Sequence, residues 1–209
     1  MLGMTGIAFL TLEVDDVDSA RTFYDNAFGL GLGLGDRLRL RASSGPTTGF
    51  RGFVLSLVVA EPAVVDSFVE PALAAGATVL KAARKSFWGY GSVLRAPDGT
   101  IWKVASSAKK NTGAPVRTID DLVLLIGAGD VAVTKAFYTE KGLTVTRSFG
   151  RKYVEFAGDP GGVKLALYGR KAAAKDAGVA PEGTGSHRLV VGGDAGTFAD
   201  PDGFEWEQA

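Results

Sequence analysis

A Pro-Asp-Gly turn leading into a strand that carries tryptophan occurs twice, at Pro97-Asp98-Gly99 before Trp102 and at Pro201-Asp202-Gly203 before Trp206. Proline presets the turn dihedral, and glycine supplies the conformation that the return strand needs. One such turn marks only a hairpin. Two of them, each closing one half of the sequence, mean that the chain is built twice. The upstream parts repeat as well: the run from Val14 to Tyr24 leads to Gly29 and Leu30, and the run from Gly127 to Tyr138 leads to Gly142 and Leu143. In both, an apolar strand ends at an aspartate (Asp16, Asp130) and a Phe-Tyr pair begins seven residues later. The aspartate suits a helix N-cap and the glycine a C-cap, with the Phe-Tyr pair two turns in. Self-similarity on this scale is the mark of a tandem protein.

With 209 residues, 46% hydrophobic and 22% charged, the chain can bury a core, and the repeat divides it into two domains. The expected boundaries are 1–107 and 117–209, with a linker over 108–116 inside the polar, basic stretch Ser106–Pro115. Lys plus Arg equals Asp plus Glu at 23 each, so charge gives no reason to expect nucleic acid or an anionic membrane as a partner. There is no cysteine, which excludes disulfides and thiolate chemistry. No apolar run reaches the ~18 residues of a membrane span. Glu13, Asp15 and Asp16 interrupt the first apolar stretch, which argues against a signal peptide and for a cytoplasmic setting.

The periodicities predict strands at Ile7–Val14, Arg37–Arg41, Phe53–Val59, Thr78–Leu80, Phe87–Arg95 and Thr100–Ala105, with helices at Asp16–Phe28 and Ala63–Ala75. The second half predicts strands at Ile119–Ile126, Thr144–Phe149, Lys152–Phe156, Val163–Tyr168, His187–Val191 and Phe204–Gln208, with a helix at Asp130–Glu140. Ser43–Gly49 is a loop by composition, and Arg170–Gly185 is a long segment that is either a lid over a pocket or a solvated surface loop. The glycine-rich run Gly29–Gly35 follows a helix and lacks a following lysine, so it is no phosphate loop.

The opening strand, the Asp-to-Phe-Tyr helix with its Gly-Leu exit and the Pro-Asp-Gly final strand resemble the vicinal oxygen chelate superfamily. That superfamily includes glyoxalase, bleomycin-resistance and extradiol-dioxygenase proteins. The segment Phe87-Trp88-Gly89 resembles its bacterial glyoxalase-like branch. The resemblance touches nearly the whole chain and implies an α+β fold, tandem glyoxalase-like domains built from paired βαβββ modules. Here the first module is clipped between Leu30 and Phe50, and the fourth has lost its helix, because Asp194 runs almost directly into the final hairpin. The intact second and third modules are adjacent in sequence. Clipped modules leave sheet edges open, so the two domains are expected to cover one another, or a second subunit to do so as a homodimer.

Metal enzymes of the superfamily place His or Glu on the first strand of each module and Glu near the end of its last. Counting from Asp16 puts Phe9 in the first slot; Val54 fills the matching slot of the second module, and Lys103 the terminal one. An aromatic ring, an isopropyl group and an ammonium chelate no cation, so the first domain is expected to hold none. In the second domain the same count gives Val123 and Leu165, but His187 and Glu207 match ligand positions, and Asp121 would supply a third donor after a two-residue shift. Such a set would suit a divalent metal (Fe, Mn, Zn or Ni), although a lone histidine in a Gly-rich segment is more often an ordinary hydrogen-bonded one.

Strand parity puts Trp102 and Trp206 on the face opposite Lys103 and Glu207, in the core. Phe87, Trp88 and Tyr90 lie among glycines and serines, where they either line a pocket for a flat ligand or pack on the neighbouring module. Lys103 is expected either to anchor a ligand carboxylate beside Phe9 and Val54 or to snorkel to the rim. Three readings stay open on this basis. The first is a metal-free protein that binds a small apolar or aromatic molecule, as bleomycin-resistance proteins do, and so sequesters a toxic or antibiotic compound. The second is a metal-dependent lyase, isomerase or dioxygenase using His187 and Glu207. The third is a structural or interaction protein whose cups are filled by its own side chains.

Overall fold

The computed structural model describes residues 6–29 and 34–209; Met1, Met4 and most of the run Gly29–Gly35 lie outside the described residues. The first half forms β1 (Ile7–Val14), α1 (Val17–Phe28), β2 (Leu38–Ala42), β3 (Thr47–Gly49), β4 (Phe53–Val58), α2 (Pro62–Ala74), β5 (Thr78–Ser86), β6 (Gly89–Arg95) and β7 (Ile101–Ser106). The second half forms β8 (Asp121–Ala128), α3 (Val131–Glu140), β9 (Val145–Phe149), β10 (Tyr153–Phe156), β11 (Val163–Gly169), α4 (Arg170–Ala177), β12 (Gly183–Gly185), β13 (Leu189–Gly193), β14 (Phe198–Ala199) and β15 (Glu205–Gln208).

The repeated aspartates act as expected. Asp16 accepts from the backbone N–H groups of Asp18 and Ser19, and Asp130 from those of Ala132 and Val133. These bonds, to Ser19 first in α1 and to Ala132 first in α3, hold both carboxyls below their ordinary value. A carboxyl whose folded value is depressed stabilises the fold above its unfolded value near pH 4, and that contribution is lost as the pH falls through the folded value. The double variant Asp16→Ala/Asp130→Ala should therefore lose stability near pH 7 and lose little near pH 2. Urea midpoints recorded across that range check it, and a deficit that does not shrink on acidification would contradict the cap assignment.

In the second, third and fourth modules the first strand pairs in parallel with the last (β4 with β7, β8 with β11, β13 with β15), and in the first module β1 pairs in parallel with β2. Modules then join antiparallel through their first strands, β4 to β8 and β1 to β13. The second and third modules make one eight-stranded cup in the order β5-β6-β7-β4-β8-β11-β10-β9. The first and fourth make a smaller sheet, β2-β1-β13-β15-β14, joined to the cup where Ile7 faces Val163. The pairing crosses the 108–116 linker, whereas the repeat alone led us to expect a cup within each half. The physical reason lies in the clipped modules. Among the described residues only the second and third retain four strands and a helix each, and their union gives a complete cup.

Each half nevertheless keeps its own helix-to-turn lock on the outer layer. In the first, Tyr24 donates to Asp98 (2.7 Å) and accepts from the Trp102 indole (3.3 Å). In the second, Tyr138 donates to Asp200 (2.6 Å) and accepts from the Trp206 indole (3.2 Å). Burial, reinforced by the neighbouring carboxylate, pushes both phenols well above their ordinary value, so both stay protonated donors. The Phe-Tyr pairs are thus packing and locking residues.

Candidate functional site

Strand parity fixes which side chains enter the cup. From β4, β7, β8 and β11 these are Val54, Ile101, Leu125 and Ala166, which form one buried cluster. Into that cluster runs α4, through Ala173, Ala174 and Ala177, which are 0%, 0% and 1% exposed. Small residues let the helix settle onto the strands. At Gly127 on β8 a Cβ would come within 3.3 Å of the Ala173 Cβ and 3.1 Å of the Gly52 carbonyl oxygen. The helix is pinned at its far end by Lys103, which pairs with Asp176 (2.7 Å), and by Lys81, which donates to the Lys175 carbonyl (2.8 Å). Beyond α4, β12 pairs with β3 and anchors the returning segment to the first half. The stretch Arg170–Gly185 is therefore neither a lid nor a solvated loop but the filling of the cup. Alanines carry too little hydrophobic contrast to reveal their helical spacing in the sequence.

The ligand wall expected from Phe9, Val54, Lys103, Phe87, Trp88 and Tyr90 does not assemble. Val54 and Lys103 share the cup face, but α4 covers the first and engages the second. Phe9 lies on the smaller sheet, beneath the Arg39 guanidinium (3.4 Å) and against Gly192, where any Cβ would collide with its ring. Phe87 and Trp88 form the tip between β5 and β6, 81% and 82% exposed, and Tyr90 donates to Asp66 on α2 (2.9 Å). The module exchange separates Phe9 from Val54, and the length of β5, which runs to Ser86, carries the aromatic pair out to the hairpin tip. Trp102 and Lys103 do face opposite sides as parity requires: Trp102 packs on Tyr24 and Phe28, and Lys103 enters the cup.

A different concavity opens where α4 begins. It is an open groove of about 700 Å³ between the β9–β10 turn, the ends of β8 and β11, and Pro181-Glu182. Arg151 and Lys152 come from the turn, Tyr168 from β11, and Arg170 and Lys171 from the first turn of α4. Arg151 is held by Asp130 (2.9 Å), and Arg170 donates to the carbonyls of Pro181 (2.9 Å) and Phe50 (2.7 Å), so these two shape the walls. The Tyr168 ring is braced edge-on by Tyr153 (centroids 5.8 Å apart), whose hydroxyl donates to Glu155 (2.7 Å). Burial and then the Glu155 contact push the Tyr153 phenol up, which keeps it a donor. The sequence signal for this groove was the pair of dications Arg151-Lys152 and Arg170-Lys171 flanking inward tyrosines on β10 and β11. Only the tertiary structure brings them together.

No family model matches the chain, and no curated protein matches it. Solved structures do. A putative dioxygenase from Bacillus subtilis subsp. subtilis str. 168 superposes with a TM-score of 0.62 at 14% identity, covering 100% of this chain and 86% of that one. Glyoxalase I from Zea mays superposes with a TM-score of 0.59 at 15% identity, covering 97% of this chain and 91% of that one. The chain has the vicinal oxygen chelate fold.

Within this vicinal oxygen chelate fold, the donor set does not fit a divalent metal. Phe9, Val54 and Val123 offer no ligand atom, Lys103 offers an ammonium, and Leu165 turns to the outer core rather than into the cup. The three candidate donors are dispersed. Asp121 pairs with Lys164 (2.7 Å) at the rim of the large cup. Glu207 sits on the smaller sheet against Arg41 (3.3 Å), which also holds Glu13 (3.0 Å). The His187 ring stacks on Phe204 (centroids 3.9 Å), with its two nitrogens against the carbonyl oxygens of Arg51 and Asp202. Among the described residues no group of three His, Cys, Asp or Glu side chains converges. The expected Asp121-His187-Glu207 set is therefore corrected. Asp121 belongs to the third module and Glu207 to the fourth, and the exchange puts β8 and β15 in separate parts of the joined sheet, with β13, β1 and β11 between them.

Among the described residues, no helix is long and apolar enough to cross a membrane.

Proposed function

We propose that this chain is a small-molecule-binding protein that works without a metal, in the manner first expected from the bleomycin-resistance resemblance, with its ligand in the groove beside α4. The observation that carries the reading is the groove itself. At about 700 Å³ it has the capacity of a small-molecule site, and it combines an aromatic wall with side chains free to make polar contacts. The names of the structural neighbours, a putative dioxygenase and glyoxalase I, belong to those proteins. The dispersal of Asp121, His187 and Glu207 weighs against the metal-dependent alternative for this one. The filled cup favours a second reading, in which the protein serves as an interaction scaffold, because α4 occupies the space where a cupped ligand would lie.

A thermal-shift screen of small molecules, followed by amide NMR mapping of the hits, tests the binding reading. Hits should raise Tm and move signals of Tyr168, Lys171 and Ala172, and Tyr168→Ala should weaken them about tenfold. A chelator should leave Tm unchanged. A library that moves no groove signal puts the scaffold reading ahead. A Tm that falls with chelator and returns with Mn or Zn revives the metal enzyme.

A further inference from the structure

We infer that the groove selects a flat aromatic anion, its ring against Tyr168 and its carboxylate or phosphate between Lys152 and Lys171. The inference rests on the small-molecule reading above and names the chemical class of the ligand.

Charge carries the first step. The whole chain is balanced, with 23 basic and 23 acidic residues. Of the ten residues lining the groove, four are cationic (Arg151, Lys152, Arg170, Lys171) and one is acidic (Glu182). A concave wall with this imbalance concentrates positive potential on a protein that otherwise has none to spare. The second step asks which cations are free. Arg151 is engaged by Asp130, and Arg170 is engaged by two carbonyls. Lys152 and Lys171 make no ion pair among the described residues, and both are exposed. Two unpaired ammonium groups on opposite elements, one from the β9–β10 turn and one from α4, can close on an anion from either side.

Shape carries the third step. Tyr168 is held edge-on to Tyr153 at an interplanar angle of 89°, which fixes the plane of its ring. A rigid aromatic face favours a planar partner over a flexible chain, since stacking on it orders little that was free. The α4 helix opens at Gly169 with no side-chain cap, so the N–H groups of its first turn add to the positive field at the same end. Glu182 on the opposite wall disfavours a second negative charge at the far end of the ligand, which points to a single anionic group.

The test is an amide NMR titration of the full chain with benzoate, phenyl phosphate, inorganic phosphate and benzyl alcohol. Benzoate and phenyl phosphate should move the signals of Lys152, Tyr168, Lys171 and Ala172. Benzyl alcohol, which keeps the ring and lacks the charge, should bind at least about tenfold more weakly, and inorganic phosphate, which keeps the charge and lacks the ring, more weakly than phenyl phosphate. The comparison of benzoate with phenyl phosphate decides between the carboxylate and phosphate sources of the anion. Lys152→Gln and Lys171→Gln lie on exposed positions, so their spectra should stay native while each weakens benzoate by about tenfold. Equal binding of benzoate and benzyl alcohol, or unchanged binding by both glutamine variants, would overturn the anion inference while leaving a groove binder in place. Silence from all four probes, together with hits from neutral compounds at the same signals, would do the same. Silence from every compound at the groove would instead remove the small-molecule reading itself.

Discussion

Replacing Trp102 by alanine should cost about 3–5 kcal/mol of stability, while the same change at Trp88 should stay within about 0.5 kcal/mol. Trp102 is 0% exposed, with its ring 4.9 Å from Phe28 and 5.6 Å from Tyr24. Truncation opens a cavity between β7 and α1 that the surrounding rings cannot fill by rotation. It also withdraws the indole N–H from the Tyr24 hydroxyl, so that buried oxygen loses a donor while it still donates to Asp98. Trp206→Ala should behave alike, because the second half repeats the lock with Tyr138 and Asp200. Trp88 packs its ring edge-on to Phe87 at the exposed hairpin tip. Urea denaturation of the three variants separates the cases. Comparable losses at Trp88 and Trp102 would mean that the hairpin tip is packed in solution and that the surface placement is wrong.

Cutting the chain between residues 107 and 117 should leave neither fragment able to fold alone, yet the two together should recover the native fold. The expectation follows from the strand exchange. β4 loses the antiparallel partner β8 along a ladder running from Phe53 opposite Ile126 to Val58 opposite Asp121, and β1 loses β13. The first fragment also loses α4, which exposes Val54, Val93 and Ile101 to water. Burying such a set is worth about 1.5–3 kcal/mol per large side chain, and a fragment of about 100 residues has little margin to forgo it. Each fragment expressed alone should give a poorly dispersed amide spectrum or precipitate, and co-expression should give a stable heterodimer with the spectrum of the intact chain. A well-dispersed monomeric spectrum from either fragment would show that a half can complete its own cup, as the repeat first implied.

Much of the fold was legible because it is local. Asp16 and Asp130 announce helix starts through side chains that reach N–H groups two and three residues on. The parity of Trp102 and Lys103, or of Trp206 and Glu207, follows from a period of two counted from a glycine a few positions away. The candidate site was much less legible. His187 and Glu207 match the ligand positions that the superfamily resemblance implies, with Asp121 a two-residue shift away, yet the three lie in separate environments. The groove is not legible locally because its walls depend on where α4 and Pro181-Glu182 return against the β10–β11 hairpin, and because α4 is built of alanines that carry no periodic contrast.

What the sequence by itself determined is most of the strands, the helices α1, α2 and α3 with their aspartate-capped starts and turns, the modular repeat, and the absence of ligand-type residues at the first-strand positions of the first three modules. These depend on residues within a turn or a hairpin of one another. What only the tertiary structure decided is which module pairs with which, and what occupies the cup they form. Pairing is settled by competition among all the open strand edges, and the two complete modules satisfy more of them together than either does with a clipped one. The filling is settled by fit: a helix of alanines enters because glycine and small side chains beneath it leave a slot of its width, a match between surfaces that no local window of sequence contains.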